Sequence, residues 1–220
     1  MNATDPRIVR IAWDQCINRD NPQLVPVFRK AATYMGKFSK VPFKVELVGP
    51  KWADGKSGNV DWYLEKSKQG DLYRSETLLE LLRTEQGRDK PRYDILVISG
   101  ELTLESSRVL GASDGLTSAV QSVGHILRNA KSSRTARLII SASIAHEFGH
   151  VMGLLPETAP NHDPRSKSGE KNAWIYQDHC VHPSCLMRQT LSINDVEERL
   201  GVFGRLKLCL DCQKILAPAV

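Results

Sequence analysis

No run of about 18 apolar residues occurs in the 220-residue sequence, so a membrane-spanning helix is excluded as its organising element. The opening residues Met1-Asn2-Ala3-Thr4-Asp5-Pro6 lack the basic and apolar regions of a secretory signal, and a soluble, cytoplasmic protein is expected. Internal repeats and low-complexity tracts are also missing, which removes the solenoid and disordered-linker classes. Charge is not blocked: the formal net charge is +5, yet Lys and Arg are scattered, and this argues against a nucleic-acid footprint. The longest basic cluster, residues 128–137, reads as a cap on the loop before the helix described next. Cysteine is scarce, with five residues. The chain's length suits a single domain, or a domain with a small appendage, and a monomer is expected.

What is present is concentrated in His146-Glu147-Phe148-Gly149-His150-Val151-Met152-Gly153. Residues four apart lie on one face of an α-helix, so His146 and His150 can present two imidazoles to one Zn²⁺. Glu147 then stands beside the metal. A carboxylate there can take a proton from a water that zinc makes more acidic, which is the role of a general base. Residues 138–145 are apolar and free of Gly and Pro, as a helix running through a core should be. Gly153 is expected to end it in the left-handed conformation.

Cys180 and Cys185 with Cys209 and Cys212 form two pairs, one of them CxxC. Four thiolates are the usual closed shell of a structural zinc, and in a cytosolic chain metal is favoured over disulfides or unligated thiols. Cys16, the fifth, is expected as a buried free thiol on the first strand. A third ligand for the first metal must come from farther along: His179 is one candidate, His162 or Asp163 in a polar, Pro-punctuated stretch another, and His182 a further one. In an extended segment successive side chains point to opposite sides, so His179 and Cys180 can serve different metals. Unused, His162 and His182 are solvated loop histidines, and His125 is a half-exposed strand residue.

HExxHxxG is the opening of a metzincin active helix. The short metzincin pattern continues with a histidine where this chain has Pro156, but the segment from His179 to Met187 reads His-Cys-x4-Cys-x-Met. Taken with the later Cys209-Leu210-Asp211-Cys212, the sequence resembles an archaemetzincin, HExxHxxGxxHCx4CxM with a downstream CxxC, bearing an insertion at residues 155–177. The resemblance implies a zincin-like α/β fold with a twisted mixed sheet. Residues 1–153 would form an N-terminal part with the active helix, and residues 154–220 a small C-terminal part with a four-cysteine zinc site. It also implies a zinc metallopeptidase acting on peptides or proteins, with one catalytic and one structural zinc. His179 would be the third ligand, and Met187, by itself more often core filler, would lie in a tight turn beneath the metal. Residues 109–127 resemble the segment leading to the edge strand above the site. The insertion is expected to be a mobile flap that supplies no ligand. Two other functions share these residues: hydrolysis of non-peptide amides, and a non-catalytic zinc module binding peptide or nucleic acid.

Elsewhere the pattern predicts strands at 8–13, 43–48 and 93–99, and helices at 23–38 and 75–83. A helical piece is expected within 52–71, and a last helix at 195–206 capped by Ser192 or Asn194. The unbroken apolar run Ile95-Leu96-Val97-Ile98 predicts a strand covered on both faces and paired in parallel.

Overall fold

Ile95, Leu96, Val97 and Ile98 are wholly shielded from solvent, and the sheet built around them accounts for it. A computed structural model describes residues 6–39, 42–51, 59–85, 92–154, 159–163, 179–189 and 192–216. In chain order these form β1 (Arg7–Trp13), α1 (Gln15–Asp20), a 3₁₀ turn (Pro22–Leu24), α2 (Val25–Gly36), β2 (Phe43–Gly49) and α3 (Val60–Ser67). Next come β3 (Lys68–Gln69), β4 (Leu72–Arg74), α4 (Ser75–Glu85), β5 (Arg92–Ile98), β6 (Glu101–Leu104), β7 (Ser107–Val109) and β8 (Gly111–Ser113). The remainder is β9 (Ser118–Ser122), α5 (Gly124–Asn129), α6 (Ser133–Val151), α7 (Ile193–Phe203) and α8 (Leu210–Leu216).

The main sheet has the order β2-β1-β5-β9-β8, parallel except for the antiparallel edge strand β8. Alternation along the strands separates two cores. Val9, Ile11, Trp13, Ile95 and Val97 pack toward α2 and α6, whereas Ala12, Leu96, Ile98 and Val120 pack toward α3 and α4. Helices on both faces are what an unbroken apolar strand requires. A smaller sheet, β3-β4-β6-β7, flanks the first. No helix among the described residues is long and apolar enough to cross a membrane.

The fold corrects several sequence expectations. Cys16 is exposed and lies on α1, because Asp14 ends the first strand by accepting the Ile17 N–H at 2.9 Å as a helix N-cap. His125 is on a helix: the backbone leaves the sheet at Val123 (φ −108°, ψ −20°) and α5 follows at once. Ser132 caps α6 by accepting the Thr135 N–H, so Arg134 and Arg137 fall inside the helix instead of on the loop before it. Ser192 is the cap of α7, which ends at Phe203. A further helix, α8, carries Cys212 and was not foreseen. Arg10 and Asp94, directly opposite in register on β1 and β5, form a buried ion pair at 2.7 Å. Burial raises the Asp94 carboxyl, and Arg10 and Arg92 counter that rise only in part.

Candidate metal and active site

The helix α6 carries His146, Glu147 and His150 into a buried position, leaving 9%, 7% and 2% of each exposed. His146 donates its Nδ1–H to the Leu186 carbonyl at 2.8 Å, a bond that leaves Nε2 as a lone-pair donor. That Nε2 lies 3.1 Å from Nε2 of His150. His179 completes the group. Its ring stacks on that of His146 with centroids 5.2 Å apart and planes 22° from parallel, and one ring nitrogen from each of the three histidines lies within 4.8 Å of the others. Zinc–nitrogen bonds of about 2.0–2.1 Å in a tetrahedron place nitrogens about 3.3 Å apart, so the residues fit a zinc ion.

Electrostatics agree with this fit. Burial pushes His146 down to about 4, and burial together with its two histidine neighbours pushes His150 well below the usual range. Neutral imidazoles are the form a cation needs. Glu147 moves the opposite way, up to about 8, through burial.

These shifts predict an unusual pH profile for the metal-free chain. From the ordinary histidine value of 6.5 down to about 4, the unfolded chain binds more protons at His146, and at His150 likewise, so stability falls as pH falls. Between 4.5 and about 8 the folded chain holds an extra proton on Glu147, so that residue alone makes stability fall as pH rises. Cys180, lowered from the ordinary thiol value of 9.0, holds one proton fewer in the folded chain across this range, so it makes stability rise with pH. The histidines and Cys180 outweigh the one carboxyl below 6.5, and above it Cys180 and Glu147 oppose each other. Melting temperature measured in chelator is therefore expected to rise from pH 5 to about 6.5 and then to level off toward pH 8. A fall in melting temperature from pH 5 to pH 6.5 would contradict the assignment.

Two close approaches fix the surroundings. A Cβ built on Gly111 of the edge strand β8 would lie 2.7 Å from Cγ and Oε1 of Glu147, so the strand backbone rests directly against that carboxyl. Met187 is fully buried in a turn closed by the Arg188 N–H on the Cys185 carbonyl at 3.1 Å. Its Sδ would sit 2.4 Å from a Cβ on Gly149, which places the methionine directly against the active helix between its two histidines. Gly153 follows in the left-handed region at φ +75°, where the helix stops as expected.

The four thiols of Cys180, Cys185, Cys209 and Cys212 gather beside this turn, all within 4.8 Å of one another. Sγ of Cys180 is 3.8 Å from that of Cys209, and Sγ of Cys185 is 3.6 Å from that of Cys212. Zinc–sulfur bonds of about 2.3 Å in a tetrahedron give edges of about 3.8 Å, whereas a disulfide needs about 2 Å. Cys180 is held far below the usual thiol range by hydrogen bonds from Cys185 and Cys212, and both of those are driven up in return. One thiolate is thus shared among thiols, and ionising all four calls for a countercharge such as a divalent metal. Arg199 on α7 clamps the loop by donating to the carbonyls of Pro183 (3.1 Å) and Cys185 (2.6 Å).

The other candidate ligands lie elsewhere. His182 meets Asp211 at 3.1 Å and groups with Cys209, away from the three histidines. His162 bridges Cys180 through its backbone, and the Asp163 N–H donates to the His179 carbonyl at 2.7 Å. Of the expected flap, residues 159–163 are therefore tied to the segment carrying His179 and Cys180, because backbone pairing with residues 179–181 satisfies their polar groups. Residues 155–158 and 164–177 lie outside the described residues.

A cleft of about 360 Å³ opens over Glu147 and the three histidines. Leu110, Gly111 and Ala112 border it on the sheet side, and Ile193, Val196 and Leu206 form an apolar wall opposite.

The sequence matches no family model, and no curated protein is similar to it in sequence. Solved structures are similar in fold. An archaemetzincin from Methanopyrus kandleri superposes with a TM-score of 0.63 at 18% identity, covering 98% of this chain and 96% of its own. An archaemetzincin from Archaeoglobus fulgidus, complexed with malonate, gives 0.56 at 20% identity over 94% of this chain and 98% of its own. For a zinc-dependent peptidase from Methanocorpusculum labreanum the values are 0.57 and 17%, over 94% and 99%. The chain has the archaemetzincin fold.

Proposed function

We propose that this chain is a zinc-dependent peptidase holding two zinc ions, a catalytic one at His146, His150 and His179 and a structural one at Cys180, Cys185, Cys209 and Cys212. The observation that carries this reading is the meeting of three buried imidazoles and the Glu147 carboxyl at the floor of one cleft. When bound, zinc supplies a Lewis acid that polarises a carbonyl and acidifies water. Glu147 accepts the proton of the attacking water and returns it to the departing amine nitrogen. Burial raises the Glu147 carboxyl in the metal-free chain, and a divalent cation beside it would favour the ionised form that a base needs.

Peptide recognition follows from the edge strand. Inward hydrogen bonds from Ser122 N–H to the Leu110 carbonyl and from Asp114 N–H to the Ser118 carbonyl set the ladder of β8 on β9. Alternation then turns the N–H and C=O groups of Gly111 and Ser113 outward, where an extended peptide can pair with them. Gly111 therefore serves two partners, and Gly111→Ala is expected to displace the Glu147 carboxyl. The result should be a fall in kcat of roughly 10-fold to 100-fold with zinc content unchanged, checked by peptide kinetics and elemental analysis on the same sample.

The reading itself is tested on the purified, zinc-loaded chain. Elemental analysis should return close to two zinc ions per chain, and a peptide library should contain substrates whose cleavage stops with 1,10-phenanthroline and resumes on adding zinc. Turnover confined to acylated amines would move the assignment to non-peptide amides. Absence of any turnover, with peptide binding retained in a Glu147 variant, would move it to a non-catalytic module.

A further inference from the structure

Residues 159–163 belong to the insertion that sets this chain apart from the short metzincin spacing, and they pair antiparallel with the segment that carries His179 and Cys180. The Val181 N–H donates to the Asn161 carbonyl at 3.0 Å, and His162 bridges Cys180. This pairing buries Asn161 to 2% exposure among the sulfurs. Its Nδ2 lies 3.0 Å from Sγ of Cys180, 3.1 Å from Sγ of Cys212 and 3.7 Å from Sγ of Cys209. The buried Oδ1 has no protein partner among the described residues, so the sulfurs are what the amide is oriented toward.

Four thiolates around a divalent metal carry a net charge of 4 − 2 = 2 negative units in a low-dielectric setting, and N–H donors aimed at sulfur reduce its cost. Cys185 receives backbone donors from Met187 and Cys209 at 3.4 Å each, and Cys180 one from His182 at 3.5 Å. Cys212 receives a donor from Asn161. The carbonyl end of the amide in the same place would repel the sulfurs, so the arrangement suits thiolates.

We propose that Asn161 is a positioning residue of the four-thiolate site, donating N–H···S hydrogen bonds to Cys180 and Cys212 and so coupling the inserted segment to the structural metal. Its action reaches the catalytic centre through Cys180, whose neighbour is His179. The inference rests on the four-thiolate zinc reading made above.

Cobalt-substituted full-length protein separates the two ideas, because only the sulfur site gives a thiolate-to-cobalt charge-transfer band. Hydrogen bonds withdraw electron density from sulfur, so Asn161→Ala, and more strongly Asn161→Asp, should move that band to longer wavelength. Both should weaken metal binding roughly 10-fold to 100-fold when zinc transfer to a chromogenic chelator is measured. His162→Ala disturbs the same segment but spares the amide, and should leave the band at its wild-type position. A band unmoved in both Asn161 variants overturns the inference alone, as does an equal shift in His162→Ala. Wild-type protein that shows no such band overturns the four-thiolate reading and this inference with it. If Asn161→Asp does not fold, the comparison of Asn161→Ala with His162→Ala still decides.

Discussion

On the proposed assignment, Glu147→Gln should slow peptide hydrolysis by roughly 10²-fold to 10⁴-fold while zinc stays bound at the three histidines. Glutamine has the shape of the carboxylate, so it fits against Gly111, where a Cβ would already crowd the side chain at 2.7 Å. It offers no basic oxygen for the water proton. Because the three histidine nitrogens form the metal group without Glu147, nothing in the substitution removes a ligand. The loss should appear equally in kcat and kcat/KM, as expected when an interaction made in the transition state is removed. A variant that loses zinc, or one that keeps the full rate, would sink the assignment of Glu147 as general base.

Cys180→Ser is expected to have the largest structural effect. Structural zinc is worth on the order of 10–16 kcal/mol in isolated zinc modules, and a serine hydroxyl replaces a thiolate poorly. Zinc content should fall from near two toward one per chain, or lower where His179 is displaced along with its neighbour. Even a stability loss of about 3 kcal/mol would lower the melting temperature by roughly 6–12 °C for a chain of this size. Elemental analysis and a thermal melt on matched samples check both. Unchanged metal content with an unchanged melt would remove the four-sulfur site from the account.

The features legible in sequence were those fixed by local geometry. His146 and His150 meet because four residues make slightly more than one helical turn, and the apolar run at Ile95 reads as a doubly covered strand from its own composition. The CxxC and its distant partner pair were equally visible as a set, although their convergence depends on α7, the Arg199 clamp and the unforeseen α8. Features created by register were hidden. Arg10 and Asp94 are 84 positions apart and become partners only because β1 and β5 align in parallel. Gly111 carries no chemistry of its own, so its contact with Glu147 could not be read until the edge strand was placed. Asn161 has no side-chain atom that marks it in sequence as a metal ligand, unlike its neighbours His162 and Asp163, and its role beside the sulfurs arises only from the pairing of residues 159–163 with 179–181. Cys16 lies beyond the strand that ends at Trp13, on a helix that Asp14 caps, and His125 lies on a helix because the chain leaves the sheet at Val123.

The adjacency of His179 and Cys180 has a temporal consequence. During synthesis the helix with His146 and His150 emerges first, then His179, and only later Cys209 and Cys212. The segment that carries His179 can pair with residues 159–163 as soon as it emerges, but on the proposed assignment the sulfur cage that steadies it cannot close until Cys212 has left the ribosome. A peptidase built in this order would gain its finished catalytic centre only after Cys212 is made, which separates its synthesis from its activity.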